Sequence, residues 1–378
     1  MMKSVNKSLV LNTIRIEQPI SRAEIADATK LTRPTVSTIV KELIDEGMVI
    51  ESELGASKGG RKPTMLLINK SAAYIIGIDA GPRSVTCVLS NLSGEIKHKV
   101  TKTYQAQPLS NESFIQFLIH CIEEVLQTDE HEEKTIGIGV AMHGVVDVKT
   151  GTSVIAPILH LRNISLKEKL EKRFNISVQV ENDARAIALG EAWFGKYESL
   201  ESMVAVNLGT GVGAGMVLNG QLYHGPDSLA GEIGHMVIDI HGEKCECGSY
   251  GCLQTFVSAP SIVRRANNIM PEKKITSSKK VYELALKHDK ACVALLKDTG
   301  NIIGIGLLNL IHTMNPDIII LSGGVSKAEQ FIIPAITHVI QERGLTKAAR
   351  NTKVVTSQFG DDATLLGAIA IILTEVFH

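Results

Sequence analysis

Met203-Val-Ala-Val-Asn-Leu-Gly-Thr-Gly-Val-Gly-Ala-Gly-Met-Val-Leu-Asn-Gly-Gln-Leu222 reads as an apolar strand, a glycine turn, a second strand, an Asn-Gly turn and the start of a third strand. A block of the same design lies upstream. Tyr74-Ile-Ile-Gly-Ile-Asp-Ala-Gly81 is a buried strand ending in Asp and Gly, and Val85–Ser90 and Glu95–Thr103 continue as strands around the turn Asn91-Leu-Ser-Gly94. One such block is common in α/β proteins. Two of them, at corresponding places in two halves, predict an internally duplicated fold with a cleft between the lobes. The halves are expected at residues 71–197 and 198–378, the second ending in a C-terminal helix.

Ahead of these blocks the pattern is different. Leu9, Val10, Ile14 and Ile16 lie at roughly helical spacing. Ser21 with Glu24 has the spacing of a capping box for a second helix, and Thr32 caps a third with Pro34 in its first turn. Thr29-Lys-Leu31 is the turn between these two helices. Met48–Ser52 and Thr64–Ile68 form a hairpin whose tip is the basic, glycine-rich run from Gly55 to Pro63. This is the outline of a winged helix-turn-helix over residues 1–70. On the third helix Val36, Ile39, Val40, Leu43 and Ile44 make the apolar face. Arg33, Thr35, Ser37, Thr38 and Lys41, with the capping Thr32, are left for base edges and phosphates in a major groove. Lys58, Arg61 and Lys62 on the hairpin tip can track the adjacent backbone or enter a minor groove. A solvated helix face carries such residues too, and some winged helices bind proteins; turn spacing, capping and a basic tip together favour DNA.

Charge points the same way once it is divided. The chain of 378 residues has a formal net charge of −1, with 44% apolar and 21% charged residues. That is ordinary globular composition and excludes disordered and fibrous classes. Residues 1–70 hold 11 Lys and Arg against 8 Asp and Glu, and the remainder 28 against 32. A mildly basic head thus precedes a mildly acidic body. The apolar run Ile302–Ile311 is interrupted by Asn309, and the start carries no long apolar stretch, so neither a membrane span nor a secretory signal is expected. A cytoplasmic location follows.

Six cysteines are too few for a disulfide scaffold in a chain of this length, and three crowd together. In His235-x9-Cys245-x-Cys247-x4-Cys252, three thiolates and an imidazole complete a tetrahedral set for zinc. A closed set leaves no position for water and argues for structure over hydrolysis. The alternative is a loop with incidental buried cysteines. Val180-Glu-Asn-Asp183 ends a strand before the helix-like Ala184–Trp193, which is where a general base facing a cleft would sit. Asp183 serves equally as that helix's cap. The glycine turns Asp79-Ala-Gly81, Gly209-Thr210-Gly211 and Ser322-Gly323-Gly324 are candidate nucleotide positions, or merely tight hairpins.

These pieces together resemble the ROK family of repressors and sugar kinases, specifically its branch that fuses a winged helix to a sugar-kinase-like body. Gly231-Glu-Ile-Gly-His235 and Cys245-x-Cys247-Gly-x-x-Gly-Cys252 resemble the family signature, supported by Glu181-Asn-Asp-Ala184, Leu208-Gly-Thr-Gly211 and the front run Gly59-Gly-Arg-Lys-Pro63. The resemblance implies an α/β chain with an actin-like, ribonuclease H-like, two-lobed ATPase-type fold and a sugar in the cleft. It implies sugar contacts at Gly144, Asn182, Asp183, Glu232, His235 and Gln254, a kinase general base at Asp183, and structural zinc on His235, Cys245, Cys247 and Cys252. It also implies an operator-binding homodimer or homotetramer. Departures weigh against kinase activity. The phosphate loop of family kinases is Asp-x-Gly-Gly-Thr-Lys, and here stands Asp79-Ala-Gly81-Pro82-Arg83-Ser84, in which proline removes a backbone donor. His143 stands where proline is usual, Gln254 where a sugar-binding Glu is usual, and Arg185 where asparagine is usual. The expectation is a sugar-responsive repressor of carbohydrate-utilisation genes that binds double-stranded operator DNA and does not use ATP as a cofactor. The alternative is an ATP-dependent hexose or N-acetylhexosamine kinase that carries a winged helix.

Overall fold

The fold is that of a computed structural model whose described residues are 2–54, 63–104, 109–127, 134–197 and 200–377. Three helices, α1 (Met2–Glu17), α2 (Arg22–Thr29) and α3 (Arg33–Asp45), precede a hairpin of β2 (Val49–Leu54) and β3 (Thr64–Ile68), with the short β1 (Ile20–Ser21) on the other edge of β3. Ser21 and Glu24 make the reciprocal capping box, and Thr32 caps α3. The first helix corrects one expectation. Val10, Leu11 and Ile14 form its core face, whereas Leu9 and Ile16 are 42% and 63% exposed, because the face that meets α2 and α3 is centred on Val10 and Ile14. Arg61, Lys62 and Lys58 lie outside the described residues.

Behind the head come two five-stranded sheets of one design. The first is built from β4 (Tyr74–Ala80), β5 (Ser84–Asn91), β6 (Ile96–Thr103), β7 (Thr135–Met142) and β11 (Val178–Asn182), in the order β11-β7-β4-β5-β6. A small sheet of β8 (Val145–Asp147), β9 (Thr152–Ala156) and β10 (Leu161–Ser165) branches from it, and α4 (Asn111–Leu126) and α5 (Leu166–Phe174) cover it. The second sheet comprises β12 (Ser202–Leu208), β13 (Val212–Leu218), β14 (Gln221–Tyr223), β15 (Ile318–Ser322) and β16 (Lys353–Thr356), ordered β14-β13-β12-β15-β16. In each, an antiparallel three-stranded meander is extended on its first strand by two parallel strands. The duplication read from two glycine turns is therefore present as topology.

Helices α7 (Gln254–Val257), α8 (Ala259–Ile269), α9 (Ser278–Leu286), α10 (Lys290–Met314), α11 (Glu329–Arg343) and α12 (Lys347–Arg350) belong with the second sheet. By length and composition alone α10, which contains Ile302–Ile311, is long and apolar enough to span a bilayer. Its Leu295, Leu296, Ile303, Leu307 and Ile311 are instead buried in the second core.

Between the sheets lie α6 (Asp183–Phe194) and the C-terminal α13 (Ala363–Phe377), packed on one another. α6 follows the first sheet in sequence but rests on β12 and β13; α13 follows the second but rests on β4 and β7. The contacts run backbone to backbone. A Cβ on Gly139 would sit 1.8 Å from the Ala368 carbonyl oxygen, and one on Gly367 would sit 2.0 Å from that of Ala186. Two helices exchanged in this way hold the lobes together along one edge and leave the strand ends facing across a cleft.

Candidate functional site

That cleft has a volume of about 700 Å³. Every residue named from sequence as sugar- or nucleotide-facing lines it: Gly144, Asn182, Asp183, Glu232, His235 and Gln254, with Asp79, Gly81, Gly209, Thr210, Gly211, Gly323 and Gly324. They arrive from the C-terminal ends of β4, β7, β11, β12 and β15, and from the loop after β14.

Asn182 and Asp183 divide the work that sequence left ambiguous. Asn182 is the N-cap of α6, its Oδ1 accepting from the backbone N–H groups of Ala184 and Arg185. Its Nδ2 donates to the Gly144 carbonyl at 2.8 Å. Gly144 is held at φ +97, and a Cβ there would lie 2.1 Å from the Ile155 carbonyl oxygen, so only glycine fits this approach. With the cap filled by its neighbour, Asp183 keeps one oxygen on the Ala184 N–H and turns Oδ2 to the cleft. There it accepts from Asn207 Nδ2 at 3.3 Å and lies 3.8 Å from His143 Nδ1. Asn207 was not anticipated. It occupies the penultimate position of β12, as Asp79 does in β4, so aligning the two blocks would have found it.

The cleft floor is acidic. Burial, with the nearby charge of Asp183, lifts Asp79 to about 7, and burial also raises Glu232. Burial would lower His143, but the carboxylates of Asp183, Asp79 and Glu232 outweigh it and hold its pKa above the ordinary value. Clustered carboxylates are acceptors for the hydroxyls of a polyol and repel phosphate. Nor does the first glycine turn offer a phosphate cradle: the Gly81 N–H donates to the Ser84 carbonyl at 3.1 Å, and Pro82 has no N–H. The second turn is roomier. A Cβ on Gly211 would meet only Gln254 Oε1 at 3.8 Å, and one on Gly324 would meet nothing within 4 Å.

Arg185, the departure beside Asp183, is 2% exposed and pairs with the buried Glu181 at 2.6 Å. Glu181 also meets His224 at 2.6 Å, and Arg185 donates to the Ser228 carbonyl at 2.7 Å. The start of α6 is thus tied to the loop that carries Glu232 and His235.

His235, Cys245, Cys247 and Cys252 converge at one side of the cleft, their ligand atoms all within 4.8 Å of one another. Cys245 Sγ lies 3.7 Å from His235 Nδ1, and Cys247 Sγ 3.7 Å from Cys252 Sγ. A tetrahedral zinc with Zn–S bonds of about 2.3 Å requires sulfurs about 3.8 Å apart, so the donor set fits that ion. Gln254 Nε2 donates to Cys245 Sγ at 3.4 Å, which joins this cluster to the pocket.

On the head, α3 presents Arg33, Ser37, Thr38 and Lys41 exposed, with Thr35 half-buried. Three hydroxyls of the expected reading face are already used locally: Thr32 and Thr35 bond one another at 2.8 Å, and Thr38 donates to the Pro34 carbonyl at 3.0 Å. Arg33, Ser37 and Lys41 remain the projecting groups.

Comparison with known proteins agrees with both parts. Residues 4–60 match the MarR family and residues 75–375 the ROK family. The chain is 31% identical to the xylose repressor of Caldicellulosiruptor bescii over 100% of its length and 97% of that protein's. It is 32% identical to the xylose repressor of Bacillus subtilis, covering 98% and 95%. It is 28% identical to the DNA-binding transcriptional dual regulator NagC of Escherichia coli, covering 98% and 93%. Among solved structures, a ROK family transcriptional regulator described as a homolog of E. coli MLC superposes at TM-score 0.88 with 27% identity, covering 100% of this chain and 97% of that one. A ROK family glucokinase from Streptomyces griseus, solved with glucose and AMPPNP, superposes at 0.71 with 26% identity, covering 79% and 99%. That kinase therefore has a counterpart for the body and none for the head. Because the family match spans nearly everything behind the winged helix, the chain belongs to the ROK family.

Proposed function

We propose that the chain is a sugar-responsive transcriptional repressor of carbohydrate-utilisation genes, which acts in the cytoplasm as a dimer or tetramer on a palindromic operator. The observation that carries this reading is the cleft itself: an acidic, hydroxyl-accepting pocket with its first phosphate loop closed by Pro82 and the Gly81–Ser84 bond, in a chain that also carries a winged helix. Relatives named as xylose and N-acetylglucosamine repressors along the full chain support it.

In this reading sugar hydroxyls donate to Asp183 Oδ2 and Glu232, while Asn182, pinned to Gly144, presents the start of α6. Donors and acceptors from both lobes on one ligand favour the closed cleft, and only a ligand with that preference shifts the lobe angle. Zinc on His235, Cys245, Cys247 and Cys252 would supply structural cross-linking to a loop with little core of its own. His235 and Gln254 then hold the pocket wall in place. Arg33, Ser37 and Lys41 read the operator, and two-fold pairing gives both half-sites.

A second reading, an ATP-dependent sugar kinase, is favoured by one observation, the cleft-facing Asp183 beside an open glycine turn at 209–211. The two separate readily. Calorimetry with D-xylose, D-glucose and N-acetyl-D-glucosamine should find one sugar that binds, and Asp183→Asn should weaken it at least tenfold, about 1.4 kcal/mol, while operator binding persists. Sugar phosphate formed from ATP at an enzymatic rate would transfer the case to the kinase. Freshly purified protein should carry about one zinc per chain; a content far below that would remove the metal from the account.

A further inference from the structure

Helix α6 begins at the pocket and ends at the DNA-reading head. Asn182 and Asp183 stand at its N-terminus, and Trp193, the chain's single tryptophan, stands in its last turn. Ten residues separate Asp183 from Trp193, about 15 Å of helix. Over the Trp193 ring lies Arg15 of α1, its guanidinium carbon 4.0 Å from the ring centroid. Phe377, at the end of α13, meets Trp193 edge-on at 5.9 Å and completes a clasp of three side chains from three helices. Arg15 donates to Asn12 on its own helix at 2.9 Å and makes no ion pair among the described residues. Its contacts with the two rings are sensitive to where those rings stand.

Two further features make this clasp a joint. First, α6 is not cushioned. A Cβ on Gly190 would lie 2.7 Å from the Gly367 nitrogen of α13, and one on Gly215 of β13 would lie 2.7 Å from the Ala184 carbonyl oxygen. Backbone packed on backbone leaves no long side chains to absorb a displacement, so movement at one end of α6 is carried to the other. Second, the head's core is continuous with that of the body. Val10, Ile14, Ile25 and Leu66 belong to one apolar cluster with Ile369, Leu373 and Phe377 of α13. The winged helix is therefore docked on the body rather than tethered to it.

We infer that Arg15 and Trp193 are positioning residues that transmit ligand closure to the operator-reading helix. Closure on Asn182 and Asp183 moves α6 as a lever, the Trp193 ring carries Arg15 and α1 with it, and the angle of α3 follows. The inference rests on the sugar-responsive repressor reading. Its measurable quantity is the ratio of operator affinities without and with sugar, and by linkage operator DNA must change sugar affinity by the same factor.

The test uses the full chain, DNA from upstream of its own gene, and D-xylose, D-glucose and N-acetyl-D-glucosamine as probes. With the sugar that lowers wild-type operator affinity tenfold or more, Arg15→Gln should reduce that effect to less than about threefold. Its sugar Kd by calorimetry and its sugar-free operator affinity should each stay within about threefold of wild type. Arg15→Lys, which keeps a cation over the ring, should recover part of the ratio. Trp193 emission in the wild type should change when the sugar saturates, and this readout holds even where a variant fails to fold. A responsive wild type whose Arg15→Gln and Trp193→Phe variants respond equally, or whose tryptophan emission ignores a bound sugar, would overturn the inference and leave the repressor reading standing. A wild type that binds operator and answers to none of the three sugars would take the reading, and the inference with it.

Discussion

Asp79 is the residue whose environment departs most from what its sequence position suggested. It was legible as the acidic end of a glycine turn, but its burial beside Asp183 depends on the fold of both lobes. Its unfolded value is the ordinary 3.8 and its folded value about 7. Between those pH values the folded chain keeps a proton that the unfolded chain releases, so this group costs stability as pH rises from about 4 to about 7, and the cost persists above. Asp79→Asn removes the titration. Denaturant unfolding should find the variant more stable than wild type at pH 8, by roughly 1–3 kcal/mol once solvent in the cleft is allowed for, and close to wild type near pH 4. A difference that does not vary with pH would contradict the assignment. Gly144, Asn182, Asp183, Glu232, His235 and Gln254 were expected from the family resemblance, and the structure gathers them into one pocket. Asn207, visible only when the two strand blocks are aligned, and the pairing of Glu181 with His224, 43 residues away, were not.

At the scale of elements, the sequence reading worked best where a local rule sufficed. Caps fixed the starts of α2 and α3, and the Asn91-Leu-Ser-Gly94 and Asn219-Gly220 turns fixed two hairpins. It was weaker for α1, where four apolar residues at near-helical spacing do not tell which stripe faces a partner. It did not anticipate the exchange of α6 and α13 between the sheets, because the packing of α13 on β4 and β7, more than 200 residues upstream, leaves no periodic trace. Glycines in that seam are structural, as Gly144 is in the cleft, whereas Gly211 is not. Gly139→Ala would force a Cβ to 1.8 Å from the Ala368 carbonyl oxygen and should destabilise the chain by at least about 3 kcal/mol, whereas Gly211→Ala, facing only Gln254 Oε1 at 3.8 Å, should leave stability within about 0.5 kcal/mol. Thermal unfolding of the two variants side by side checks this, and equal losses would contradict the packing described.

For the whole molecule, the near-neutral charge conceals a basic front on an acidic body, and the structure gives that division a purpose. The winged helix offers Arg33, Ser37 and Lys41, the body offers an acidic cleft, and α6 and α13 join the two through a shared core. What the account claims above all is that one chain both reads DNA and answers to a sugar. An electrophoretic shift on DNA from upstream of its own gene, at physiological salt and with D-xylose, D-glucose and N-acetyl-D-glucosamine in turn, tests that directly. The account predicts a sequence-specific shift that one of these sugars relieves at least tenfold and that Arg33→Ala weakens by about 1–3 kcal/mol without altering sugar binding. Absence of any specific shift, with ATP and a hexose converted to sugar phosphate, would contradict it.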